Sequence, residues 1–204
     1  MTKKNVIITF DLHEVIFTFD LKKVARILWN FDHKWAIFTT LFRLPLVFTL
    51  LKMVWKDATD EEFYQVFEKR RPILLPLVIE MTNAQKVIPG MEQLIQELHA
   101  QGYQLHILSN IGPRRFKQLS LDFPQIINCF DEVKIVQAES NPLKKPDTKF
   151  FKHYLSELVN DDQHVVFIDD NRKNIKAARS LGIHAIQFKS TQQLLKQLKS
   201  IGIL

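Results

Sequence analysis

VIITFDLHEVIF, residues 6–17, sets an aspartate, a histidine and a glutamate directly after an uninterrupted apolar run. Val6 to Leu12 is short and rich in β-branched and aromatic residues, the composition of a strand. Asp11 then stands at the tip of that strand. The same design recurs twice downstream: YQLHILSN ends in Ser109-Asn110 and HVVFIDD ends in Asp169-Asp170. Between these strands the rhythm is helical. Pro89-Gly90 opens MEQLIQELHAQ, whose Leu94, Ile95 and Leu98 share one face and which stops at Gly102. A helical stretch near Arg114 to Leu121 and a short strand around Val133 to Val136 follow. Then come a helix from about Thr148 to Val159, the helix NRKNIKAARSLG ended by Gly182, a last strand HAIQF and an amphipathic tail, TQQLLKQLKS.

Strands that are near-continuous apolar runs, alternating with helices, predict an α/β fold: a parallel sheet covered on both faces in three layers, α/β/α. Ligands in such a sheet bind beyond the carboxyl ends of the strands. Three strands here end in reactive polar residues at that edge.

Apolar residues at 46% and charged residues at 25% are the balance of a folded, water-facing protein. The start, MTKKNVIITFD, has too short an apolar run for a secretory signal, so no cleaved leader is expected. Cys129 is the single cysteine and forms no internal disulfide. It reads as a small core residue of a reducing, cytoplasmic compartment. The net charge of +6 falls in short groups such as Lys22-Lys23, Lys69-Arg70-Arg71, Arg114-Arg115 and Lys144-Lys145. Without a binding motif or interleaved aromatics these predict solvated helix faces and no nucleic-acid partner, and they suit a small phosphorylated substrate equally well.

Residues 19–85 carry no clean strand signal and read as a very apolar helical insertion. Within it, WAIFTTLFRLPLVFTLLKMVW, residues 35–55, has the outline of a membrane span with a tryptophan at each end. Its eleven Leu, Ile, Phe and Val residues favour insertion by about 5 kcal/mol, against roughly 2.5–3.5 kcal/mol for the central Arg43. That balance decides nothing before Pro45 and Lys52 are counted. A span inside an insertion whose flanking strands must reassemble on one side is disfavoured by position. Two packed helices broken near Arg43 to Pro45 are expected, forming an apolar lid or partner surface with peripheral membrane contact through 35–55.

Asp11 can serve as nucleophile or metal ligand. Ser109 and Asn110 can donate hydrogen bonds to an anion, and Pro146 restricts the backbone of Lys145 and helps aim its ammonium. The adjacent Asp169 and Asp170, near Asp11, repel strongly unless a cation lies between them, which points to a hard divalent ion such as Mg²⁺. A carboxylate nucleophile, a lysine, an anion-holding hydroxyl and a Mg²⁺ site together suggest phosphoryl transfer through an aspartyl-phosphate.

The segments FDLHEVIF, ILSN, KKPD and VFIDDN, in this order and spacing, resemble the four motifs of the haloacid dehalogenase-like hydrolases, most closely the subgroup with a helical cap after the first strand. The resemblance covers 1–18 and 86–204 as a Rossmann-like catalytic core and leaves 19–85 as the cap that would close the site and choose the substrate. It implies that Asp11 is the nucleophile and a Mg²⁺ ligand. Ser109 and the Asn110 backbone would hold the phosphoryl group, and Lys145 would orient Asp11. Asp169 and Asp170 would hold the metal directly or through water, and Asn174 would steady the last loop.

His13 departs from the family pattern. Phosphatases of the family carry an aspartate two residues after the nucleophile as general acid and base, while the backbone carbonyl there binds the metal. A carbonyl does not depend on its side chain, so the metal role survives at His13. Residues i and i+2 share a strand face, so His13 is expected to point where the aspartate would and to take over proton transfer near neutrality. Glu14 stands where a small residue is usual and is expected to face away. The histidines at 33, 99, 106, 153, 164 and 184 show no ligand spacing and read as ordinary surface or core residues.

The leading expectation is a Mg²⁺-dependent phosphatase of a small phosphorylated metabolite. Two alternatives stay open: a catalytically weak or inactive relative that binds partners or membrane through its apolar cap, and a hydrolase of another bond, such as carbon–halogen. The paired Asp169-Asp170 argues against metal-free dehalogenation.

Overall fold

The computed structural model describes residues 5–41, 44–55, 59–136, 143–160 and 162–204. From β1 (Val6–Phe10) the chain passes through a short β2 (Phe17–Phe19) into five helices: α1 (Leu21–Asn30), α2 (Lys34–Leu41), α3 (Leu44–Trp55), α4 (Asp60–Arg70) and, after a 3-10 turn at Pro72–Leu74, α5 (Leu75–Thr82). β3 (Gln85–Val87) leads back to α6 (Met91–Ala100) and β4 (Gln104–Ser109). Then follow α7 (Pro113–Asp122), α8 (Pro124–Ile127), β5 (Glu132–Ile135), α9 (Thr148–Leu158), β6 (His164–Asp169), α10 (Arg172–Arg179), β7 (His184–Gln187) and α11 (Thr191–Ser200).

Five strands form one parallel sheet in the order β5-β4-β1-β6-β7. Alternation along the strands explains the layers. Val6, Ile8 and Phe10 of β1 join a core with Met91, Leu94, Ile95 and Leu98 of α6 and with Leu194 and Leu198 of α11. Ile7 faces the other way, into a second core with Phe150 and Phe151 of α9 and Ile175 and Ala178 of α10. Ile7, Ile8 and Phe10 are fully buried, and each such side chain contributes about 1.5–3 kcal/mol. The fold is thus the expected three-layer α/β/α sandwich with a parallel sheet.

The register fixes the chemistry. Phe10 pairs with Ile107 of β4 and with Ile168 of β6, so Asp11, one step further, comes level with Asp169. The Asp11 amide donates to the Ile168 carbonyl at 2.9 Å. β1 therefore ends at Phe10, two residues short of the expected Leu12, and Asp11 begins the loop beyond it.

The helical insertion has its own core, in which Ala36 (α2), Phe67 (α4), Leu74 and Leu77 are buried together. It is entered and left through an antiparallel ribbon, β2 with β3, that pairs Phe17 with Val87 and Phe19 with Gln85. Three residues per strand are too few to show a period, which is why the sequence gives no sign of this stem. Arg43 lies outside the described residues. On either side of it, the arms Lys34–Thr40 and Pro45–Leu51 meet at 86°, and Pro45 falls in the first turn of α3, where its missing N–H costs nothing. Among the described residues no single helix is long and apolar enough to cross a membrane. Cys129 is partly buried against the first core, as a small apolar residue would be.

Candidate active site

Asp11, Lys145 and Asp169 meet at the carboxyl edge of the sheet, beside the central strand. The Lys145 Nζ lies 3.0 Å from Asp11 Oδ1 and 2.7 Å from Asp169 Oδ2, and the lysine is 1% exposed. Asp169 also accepts hydrogen bonds from the Asn171 amide at 2.8 Å and from Asn174 Nδ2 at 3.0 Å to each carboxylate oxygen. The Leu12 amide donates to Asp11 Oδ1 at 2.8 Å. Asp169 is the last residue of β6 and Asp170 the first beyond it. One carboxylate oxygen from each of Asp11, Asp169 and Asp170 lies within 4.8 Å of the others.

The charges are unbalanced. Burial pulls the Lys145 ammonium down, but Asp11 and Asp169 outweigh it and hold its pKa above the ordinary lysine value. Burial raises the Asp169 carboxyl, with Lys145 opposing and Asp11 adding. Burial, then the Asp11 charge, push Asp170 up to about 6. Three crowded carboxylates with one ammonium between them leave room for a further cation, and an all-oxygen donor set suits a hard divalent ion such as Mg²⁺.

Ser109, the last residue of β4, is buried and lines the same cleft as Asp11. The Asn110 side chain is already spent: its Nδ2 donates to the Lys145 carbonyl and its Oδ1 accepts from the Lys145 amide, both at 2.8 Å. Asn110 thus fixes the loop that presents Lys145, leaving only its backbone for a phosphoryl group.

His13 lines the cleft with Asp11, although the expected reason was wrong. There is no strand at 11–13; His13 sits in a tight turn closed by the Glu14 amide donating to the Phe17 carbonyl at 2.7 Å. The His13 ring stands edge-on to Phe19 with centroids 4.9 Å apart, and its Nδ1 is buried without a hydrogen-bond partner. Burial, then the Arg115 guanidinium, hold its pKa below the ordinary value against the pull of Glu14 and Asp11. Glu14 takes a left-handed φ of 56°. Its carboxylate accepts from the Thr18 hydroxyl at 2.8 Å and lines a separate groove with Lys86 and Asp170, so it faces away from Asp11 as expected.

The cleft, about 260 Å³, is bounded by Thr59 and Asp60, which the sequence did not mark, and by Arg115, which it assigned to a solvated face but which is buried, as is Lys145. Thr59 caps α4 in a reciprocal box with Glu62, which points the acidic first turn Asp60-Glu61-Glu62 at the core. Arg115 of α7 meets Asp60 at 2.6 Å, Arg114 approaches Glu61 at 3.9 Å and Lys144 meets Glu62 at 2.9 Å. A Cβ on Gly112 would lie 2.5 Å from Glu61 Cγ, so the close approach requires glycine there. Arg115 is buried, its Nε and the Asp60 Oδ2 both lack hydrogen-bond partners, and both residues line the cleft. A capping-box signature ahead of α4 and the paired Arg114-Arg115 were the available signals.

A parallel sheet with a carboxylate–lysine cluster at its carboxyl edge and a helical unit above it defines a class. Residues 51–188 match the family described as haloacid dehalogenase-like hydrolase, and the chain belongs to that family. The matched residues include Ser109, Lys145, Asp169 and Asp170; Asp11 and His13 precede them.

Two fungal relatives are similar in part. Drimenol cyclase drtB of Aspergillus calidoustus is 37% identical over 94 residues, 46% of this chain and 17% of that protein. Sesquiterpene phosphatase astK of Aspergillus oryzae is 29% identical over 111 residues, 53% and 55% of the two chains. The chain thus spans less than two thirds of these relatives' length. Among solved structures, L-2-haloacid dehalogenase of Xanthobacter autotrophicus superposes with a TM-score of 0.60 at 17% identity, covering 98% of this chain and 84% of its own. A Bacteroides thetaiotaomicron enzyme of the same family, in complex with magnesium and inorganic phosphate, gives 0.64 at 18% identity, covering 91% and 94%. At these identities the structures establish the shared fold.

Proposed function

We propose that the chain is a Mg²⁺-dependent cytoplasmic phosphatase that cleaves a small phosphomonoester through an aspartyl-phosphate on Asp11. The observation that carries this reading is the buried Lys145 ammonium shared by Asp11 and Asp169 beside Asp170. The phosphatase among the relatives is in keeping with it. Residues 1–18 and 86–204 act as the catalytic core, and 19–85 as the cap.

Asp11, Asp169 and Asp170, with the His13 carbonyl by resemblance, would hold Mg²⁺, which when bound supplies positive charge against the phosphoryl oxygens. Lys145, 3.0 Å from Asp11 Oδ1, offsets the carboxylate charge and aims it. The Ser109 hydroxyl and the Asn110 backbone N–H donate to the phosphoryl group. The Asp11 carboxylate attacks phosphorus; the ester P–O bond breaks, and the leaving oxygen keeps the electron pair and takes a proton from the His13 imidazolium, the minor form at neutral pH because burial and Arg115 lower its pKa. Neutral His13 then takes a proton from water as that water attacks the acyl phosphate at phosphorus. The Asp11 carboxylate is restored and inorganic phosphate leaves.

The test is phosphate release from para-nitrophenyl phosphate with Mg²⁺ and with a chelator, beside halide release from 2-chloropropionate. Metal-dependent phosphate release without halide release is expected. Halide release without metal would replace this reading with a dehalogenase. If neither substrate turns over while Mg²⁺ still raises the melting temperature, the chain is a binding relative, a reading that His13 in place of the family's aspartate favours.

A further inference from the structure

The outer face of the cap has a composition that catalysis at Asp11 does not explain. In α1, Val24 and Ile27 are half-buried, and Ile27 packs on the cap core. A second apolar strip, Leu21, Ala25, Leu28 and Trp29, follows the i, i+4, i+7, i+8 spacing of one helix side. Leu21 is 74% exposed and Trp29 78%. Lys22 and Arg26, also four apart and exposed, border this strip. The next two helices continue the pattern: Trp35 beside Lys34 on α2, and Phe48 and Leu51 three apart on α3, are each at least 60% exposed.

The charge is concentrated in the same stretch of sequence, and Lys22, Lys23, Arg26 and Lys34 are exposed. Residues 21–55 hold six Lys and Arg against the single Asp32, a net +5 out of the chain's +6. Two such faces on copies of this chain would repel, which disfavours self-association there. A surface that is both apolar and basic complements a bilayer with anionic headgroups: the cations meet the lipid charge while tryptophan and leucine enter the interface. The geometry makes the contact peripheral. α2 and α3, with 8 and 12 residues, are roughly 12 and 18 Å long at 1.5 Å per residue, and a hydrocarbon core is about 30 Å thick. Their described arms meet at 86°, so they do not add into one span.

We propose that the cap docks on anionic lipid bilayers through the exposed apolar side chains of α1 to α3 and the exposed Lys22, Lys23, Arg26 and Lys34 of α1 and α2. The docking is independent of the reaction at Asp11 and stands or falls separately from it.

All three tryptophans of the chain, at 29, 35 and 55, lie in this segment, so intrinsic fluorescence reads it directly. The experiment titrates the protein with phosphatidylserine–phosphatidylcholine vesicles and with phosphatidylcholine vesicles alone, following co-sedimentation and tryptophan emission. Binding to the anionic vesicles with a blue shift, weakened at least about tenfold by high salt, is expected. The triple variant Lys22→Glu, Lys23→Glu, Arg26→Glu should lose at least about tenfold in partitioning. Trp29→Ser should lose binding and much of the blue shift, and both variants should keep the wild-type melting temperature. The proposal is overturned by absence of binding to anionic vesicles, by equal binding to both compositions or by wild-type binding in the folded triple variant. A solution dimer that Trp29→Ser dissolves would also overturn it, by assigning the face to a second copy.

Discussion

Lys145 has the most exacting position in the site. Its ammonium is buried between two carboxylates, so removing it leaves Asp11 and Asp169 facing each other without a counter-charge. Stripping one partner from a buried ionic cluster costs about 3–5 kcal/mol. Lys145→Met should therefore lower stability to urea by about that amount at pH 8, and less at acidic pH, where Asp169, with its raised pKa, protonates. A variant as stable as wild type at pH 8 would contradict the charge balance described. His13 is tested by activity. On its proposed role as proton donor and acceptor, His13→Ala should lower kcat about 10²–10⁴-fold while the folded variant still responds to Mg²⁺. His13→Asp should recover turnover with a shifted pH profile. An unchanged kcat in His13→Ala would assign the ring a packing role against Phe19.

Between elements, the contact of α4 with α7 and with Gly112 before it bounds the cleft. Arg115 and Asp60 meet while both are largely buried, so they should couple by about 1–3 kcal/mol in a double-mutant cycle on kcat/KM. Gly112→Ala should weaken the same contact by displacing Glu61. Additive effects of Arg115→Met and Asp60→Asn would place the pair outside the closing contact. A second contact lies between β4 and α9, where His106 Nδ1 is 3.0 Å from the Tyr154 hydroxyl and that hydroxyl is 2.7 Å from Thr9 Oγ1. Burial lowers the His106 pKa from 6.5 to about 4, against a small opposing pull from Asp131. The unfolded chain therefore binds this proton more readily. The contribution to stability is fully present above pH 6.5 and is lost as pH falls toward 4, an effect of about 3 kcal/mol. Melting temperatures across that range should fall toward acid in wild type and fall less in His106→Leu; equal slopes would refute the assignment. His106 sits in an apolar strand with nothing in its spacing to mark it, and Arg115, despite the capping-box signal ahead of α4, reads in sequence as one of several surface cations.

At the scale of the molecule, the sheet was legible because β1, β4 and β6 are apolar on both faces and the helical stretches before β4 and β7 stop at Gly102 and Gly182. Its register then brings Asp11 level with Asp169, which sequence order alone does not state. The helical insertion was legible as helical and apolar. Its packing was hidden because α1 to α3 carry more apolar residues than the insertion's own core buries, so burial could not be assigned residue by residue. The β2–β3 stem was too short to show a period. His13 lines the cleft with Asp11, but the tight turn after Phe10, rather than a strand face, puts it there.

The central claim is that Asp11 carries the phosphoryl group. Its most direct test is Mg²⁺-dependent hydrolysis of para-nitrophenyl phosphate by wild type and by Asp11→Asn, both shown to be folded by circular dichroism. Turnover in wild type that falls at least about 10³-fold in Asp11→Asn is the predicted result. Asp11→Asn turning over at the wild-type rate would contradict the account.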